Sequence, residues 1–166
     1  TFSANIDVRS LQEGPLQLRV NQSDPVGNIS IPYTRTLGFD RTSPELNVNN
    51  ITVTGGSGNQ GEIRPGDTIQ FTANILDSDI ETVSVDVSGL GLESSVLTLT
   101  DPLSQGQYSA TLEIPTVGLP QGILNLDFTA LDVSGNSTVR SQSVVLDGVV
   151  PTVESVDINF NSFDQN

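Results

Sequence analysis

Carboxylates dominate the chemistry open to this chain. It carries 20 acidic residues against six basic ones, and it holds no His and no Cys. All six basic residues are Arg, so Lys is absent as well. Without these groups there can be no Ser-His-Asp triad, no thiolate nucleophile, no Schiff base and no histidine-ligated metal. The Gly-rich stretch Gly55-Gly56-Ser57-Gly58-Asn59-Gln60-Gly61 is not followed by Lys-Ser/Thr, so it lacks the cation that completes a phosphate cradle. Paired carboxylates remain, as in glycoside hydrolysis. Asp77, Asp79 and Glu81 are close in sequence, but their surroundings read as an exposed turn and not as a cleft. The chain is therefore expected not to be an enzyme.

Hard cations suit what is left. Ca²⁺ takes six to eight oxygens from carboxylates and backbone carbonyls. Asp77-Ser78-Asp79-Ile80-Glu81 sets three acids at alternate positions, while Asp40 and Asp147 stand just before Pro44 and Pro151 with Asp132 or Asp24 as neighbouring donors. Neither set has the spacing of an EF-hand. No organic cofactor is expected; Ca²⁺ at Asp77, Asp79, Glu81, Asp40, Asp132 and Asp147 is the one bound group that these donors suggest, against solvated acidic loops as the alternative. Four Asn-x-Ser/Thr sequons, at Asn21, Asn28, Asn50 and Asn136, are candidate glycosylation sites. Gly-Asn-Ser is also a natural turn, so the alternative at Asn136 is a plain hairpin corner.

A net charge of −14 repels nucleic acid and anionic lipid, both of which need a cationic footprint. It also suits a salty exterior, where repulsion is screened. No apolar run approaches the length of a membrane-spanning helix. Nothing resembles a leader peptide, and the chain opens in a strand-like run, Phe2, Ala4, Ile6, Val8. This reads as an excised or processed segment of a longer protein.

What positions these acids is a repeat. Tyr108-Ser109-Ala110-Thr111-Leu112-Glu113-Ile114 echoes Phe2-Ser3-Ala4-Asn5-Ile6-Asp7-Val8, and Gly122-Ile123-Leu124-Asn125-Leu126 echoes Gly14-Pro15-Leu16-Gln17-Leu18. Asp132-Val133-Ser134-Gly135-Asn136 echoes Asp24-Pro25-Val26-Gly27-Asn28, and Asp147 and Pro151 fall 107 residues after Asp40 and Pro44. Such self-similarity marks a repeat architecture. The expected organisation is residues 1–43 as the last three strands of one unit, 44–150 as a complete unit and 151–166 as the first strand of a third.

Period-two alternation predicts seven strands in the complete unit. They lie at Leu46 to Thr54, around Ile69 to Ile75, Val83 to Val87 and Val96 to Leu99, then at Tyr108 to Ile114, Leu124 to Ala130 and Ser137 to Leu146. Aromatic residues make up 5% of the chain, so the core must come from Val, Ile and Leu, which favour strands. Short strands at this spacing describe an all-β, immunoglobulin-like antiparallel β-sandwich in tandem, with a barrel as the competing closure.

Phe128-Thr129-Ala130-Leu131-Asp132-Val133-Ser134-Gly135-Asn136-Ser137, followed by Val144-Val145-Leu146-Asp147 and Pro151, resembles the tandem Ig-like repeats of bacterial and archaeal surface proteins. Those repeats end a strand in an Ala-x-Asp-x-x-Gly-Asn corner and join units from Asp to Pro. Ile63-Arg64-Pro65-Gly66-Asp67-Thr68-Ile69 is similar to their entry into the second strand. The resemblance implies an extracellular, cell-surface location and a structural or adhesive role in a surface layer, stalk, filament or adhesin. It implies as partners neighbouring repeats of the same protein, in a self-assembling or homopolymeric array. Isopeptide cross-links, known in some such domains, would need Lys. The alternative is a glycan- or protein-binding Ig-like module, for which Tyr33, Phe39, Phe160 and Phe163 are the loose aromatics.

Overall fold

The structure is a computed structural model and describes residues 3–92, 95–149 and 151–158. It is all-β. Among the described residues nine strands form: β1 (Gly14–Val20), β2 (Tyr33–Phe39), β3 (Ile51–Thr54), β4 (Thr68–Asn74), β5 (Ile80–Asp86), β6 (Val96–Leu99), β7 (Gln107–Glu113), β8 (Gly122–Asp132) and β9 (Ser137–Leu146). All the strand pairings within the sheets are antiparallel. β3–β4–β7 and β6–β5–β8–β9 are separate sheets, which removes the barrel alternative, and β1–β2 is a third, two-stranded sheet.

Alternation explains the sandwich. Ile69, Phe71 and Ala73 are buried from β4, Val83 and Val85 from β5, and Leu126, Phe128 and Ala130 from β8. These inward residues meet between the two larger sheets, where the rings of Phe71 and Phe128 pack at 6.3 Å in a tilted arrangement. Ile63 pairs with Leu146 in a parallel bridge, tying the β3–β4 connection to the β9 edge.

Three expected strands differ. Leu46 to Thr54 is not continuous: Asn47 accepts the Asn49 N–H and starts a 3-10 turn over Val48–Asn50, so the strand begins at Ile51. The segment matching β7, Phe2 to Val8, forms no strand over its described residues 3–8, and Ile6 is 57% exposed. Its counterpart β7 is held by β4, and among the described residues no strand pairs with residues 3–8 to complete a ladder. Residues 151–158 are likewise unpaired, with Val153, Val156 and Ile158 exposed. Phe160 and Phe163 lie outside the described residues.

The two hairpins β1–β2 and β8–β9 repeat one another at their open ends and at their corners, although β8–β9 pairs over a longer ladder. Gly14 pairs with Phe39 and Gly122 with Leu146, each glycine at positive φ. At the corners, Asp24 Oδ1 accepts the Val26 and Asn28 N–H groups, and Asp132 Oδ1 those of Ser134 and Asn136. At the strand ends, the Arg41 N–H donates to Glu13 Oε1 at 3.0 Å and the Gly148 N–H to Gln121 Oε1 at 2.9 Å.

Candidate functional site

The corner at the end of β8 is where the acids gather. Asp132 is buried and its carboxylate is held on both oxygens: Oδ1 takes two backbone N–H groups at 2.8 Å and Oδ2 takes the Asn136 side-chain amide at 2.9 Å. Burial pushes its pKa up, but the Asn136 amide and the N–H groups of Asn136, Ser134 and Gly135 outweigh it. The group is held below the usual carboxylate range and stays ionised.

Two more carboxylates come to this corner from different places in the chain. Ile80 pairs with Asp132, which brings the turn before β5 alongside, and the Val133 N–H donates to the Asp79 carbonyl at 2.9 Å. Asp40, just past β2, accepts the Thr42 N–H on Oδ1 and faces the Asn136 amide across 3.5 Å through Oδ2. One carboxylate oxygen from each of Asp40, Asp79 and Asp132 lies within 4.8 Å of the others. Two ligands on opposite sides of a Ca²⁺ ion stand about 5 Å apart, so the spacing fits a hard cation, and the all-oxygen donor set fits Ca²⁺ better than a transition metal. Three carboxylates are half or fewer of the ligands such an ion takes.

The remaining expected ligands sit elsewhere. Asp77 lines the same cleft as Asp40 and Asp79, but its Oδ2 accepts the Glu45 N–H at 2.7 Å. Glu81 is the extra residue where the β5–β8 register shifts between Ile80 and Thr82, and the expected alternation 77, 79, 81 breaks at that bulge. Asp147 lies at the far end of β9, ion-paired with Arg64 at 3.5 Å. Of the six, the structure brings Asp40, Asp79 and Asp132 together.

Most aspartates here organise backbone. Asp67 caps the Arg64 and Ser57 N–H groups, Asp86 that of Ser88, and Asp101 those of Leu103 and Gly106. Much of the acidity thus follows from Asx-type turns between strands. This use of Asp67, Asp86 and Asp101 was missed in the sequence, although each precedes or follows a Gly, Pro or Ser within two residues.

The sequons divide as sharply. The Asn28 and Asn136 amides bind their corner aspartates at 2.7 and 2.9 Å, and the sequon hydroxyl of Thr138 donates to the Pro44 carbonyl at 2.7 Å. Asn50 precedes the buried Ile51, and its carbonyl accepts the Asn74 amide. Asn21 is exposed at the end of β1. Among the loose aromatics, Tyr33 is exposed and Phe39 carries the Arg41 guanidinium over its ring at 5.4 Å.

The same corner fixes the joint. Pro44 and Leu46 are buried, and the segment is held by Thr138 on one side and Asp77 on the other. No helix among the described residues is long and apolar enough to cross a membrane. No known family model matches the chain, and no curated protein matches it in sequence.

Proposed function

We propose that this chain is a non-catalytic structural or adhesive repeat of an extracellular, cell-surface assembly such as a surface layer, stalk, filament or adhesin. The observation that carries the reading is the duplicated hairpin. β1–β2 and β8–β9 share their glycines, corner hydrogen bonds and joint hydrogen bonds, and the first hairpin leads straight into a segment locked onto the next sandwich. A repeat seated on its neighbour through buried Pro44 and Leu46 transmits orientation from unit to unit. Residues 1–43, 44–150 and 151–166 are then successive pieces of one array. Its partners are neighbouring units of the same protein.

The test is surface exposure. Antibodies raised against the purified chain should label intact cells of the source organism, and protease treatment of those cells should remove the signal. Labelling only after lysis would refute the surface assignment.

A Ca²⁺-stabilised version of the module has one observation in its favour, the convergence of Asp40, Asp79 and Asp132 from three places in the chain. Calorimetry with millimolar Ca²⁺ and then with chelator decides it. The reading expects a higher Tm with the ion and loss of that rise in Asp79→Asn; an unchanged Tm ends it.

A further inference from the structure

One end of the sandwich divides into a half that holds the joint and a half that stays open. Asn74 ends β4 opposite Gln107, and Ile80 starts β5 opposite Asp132, so the β4–β5, β6–β7 and β8–β9 connections share that end. The β8–β9 corner faces Asp40 and the joint. The other two connections frame a separate hollow of about 320 Å³, lined by Asp77, Ser78, Ile80, Asp101, Ser104 and Tyr108. Ligand sites usually span ~300–1,000 Å³, so this one suits a single long side chain and not a large ligand.

Its walls are set in advance. The Ile75 N–H donates to the Gly106 carbonyl at 2.7 Å, and the Gly106 N–H to Asp101 Oδ2 at 2.7 Å, which pins the two connections together. Ser104 is held at φ +51°, a region that a side chain enters at a cost. On this rim stand Leu76 and Leu103, 93% and 72% exposed even with the β1–β2 hairpin present, so neither serves the core or the joint. The hollow is also negative. None of the described ion pairs reaches Asp77 or Asp101, and burial, then the charge of Asp101, pushes the Tyr108 phenol above its usual range. We propose that this open half of the loop end docks a partner protein through one Arg or Lys side chain flanked by apolar residues. The cation enters between Asp77 and Asp101, and its neighbours cover Leu76 and Leu103. A basic partner complements a chain of net charge −14, whereas a second copy would bring the same charge. A bare divalent ion fits less well, because among the described residues the carboxylates close enough to share one are Asp40, Asp79 and Asp132.

Titrating the full isotope-labelled chain with the peptide N-acetyl-Leu-Arg-Leu-amide tests this, read by amide chemical shifts at about 0.15 M salt to screen charge beyond ~8 Å. Saturable shifts should centre on Leu76, Asp77, Asp101, Ser104 and Tyr108. The citrulline analogue, neutral and nearly the same shape, should bind on the order of tenfold more weakly. The Arg peptide should lose a similar factor against the double variant Leu76→Ser, Leu103→Ser, and against Asp77→Asn. Both leucines are exposed and Asn keeps an oxygen for the Glu45 N–H, so the melts of these variants should match the parent's. Four results would overturn the proposal: no saturable shift at millimolar peptide, shifts scattered over the acidic surface, equal affinity for the citrulline analogue, or affinity unchanged in the variants. Surface labelling of cells is independent of all four, so the array reading stands or falls separately.

Discussion

Thr138→Val removes one hydroxyl and nothing else of comparable size. Thr138 Oγ1 donates to the Pro44 carbonyl at 2.7 Å, and Pro44 is buried at the point where the joint enters the sandwich. Loss of a buried partner can cost ~1–3 kcal/mol when the acceptor is left bare. Here the Pro44 carbonyl keeps the Leu46 N–H at 3.1 Å, so the loss should lie nearer the net worth of one hydrogen bond, about 1 kcal/mol. Val retains the β-branched shape favoured in β9, so the strand itself should be indifferent. Urea unfolding should show a lower midpoint at unchanged slope. Amide exchange at Glu45 and Leu46, whose N–H groups are held by Asp77 and by the Pro44 carbonyl, should speed up about fivefold. Thr138→Ser keeps the hydroxyl and should stay close to the parent. A Val variant within about 0.3 kcal/mol of the parent would refute the claim that this bond locks the joint, as would a Ser variant as weak as Val.

Other substitutions probe the corner and the core boundary. Asp132 is held below the usual carboxylate range in the folded state, so its contribution is complete above the unfolded value of about 3.9 and is lost as pH falls through the folded value. The urea midpoint of Asp132→Asn should therefore lie well below the parent's at pH 7, and the gap should close in strong acid; a gap independent of pH would show that the charge is not what matters. Gly106→Ala should destabilise by about 2 kcal/mol or more, because Gly106 has φ +76° and an added Cβ would fall 2.2 Å from the Ile75 carbonyl oxygen. A thermal melt matching the parent's would contradict that packing.

The fold was legible where alternation was strict. β9 matches its expected span, and β4, β6, β7 and β8 agree within two residues at each end, because Ile69, Phe71, Ala73 and Leu126, Phe128, Ala130 alternate with polar residues. The first strand misled because Val48 looks like a core position, yet Asn47 caps a turn that leaves it 45% exposed. Segments 3–8 and 151–158 alternate just as well but form no ladder: pattern states which face a strand would bury, and pairing needs a partner. At the site, the repeat register pointed to Asp40 and Asp132 at a joint. It could not show that Asp40 meets the sandwich that follows it, nor that Arg64 occupies Asp147, since both are contacts across the fold. The bulge that removes Glu81 is equally invisible in the sequence, because the alternation continues on either side of it.

The central claim is that the unit of function is an array. Mass-spectrometric sequencing of the native polypeptide that carries this segment, released from the cell surface, tests it directly. The account predicts further copies of the Asp-x-x-Gly-Asn corner and the Asp-to-Pro joint, recurring at the 107-residue spacing that separates Asp40 from Asp147. A native polypeptide in which the corner and joint occur at no further positions, or one recovered only from the cytosol, would contradict it.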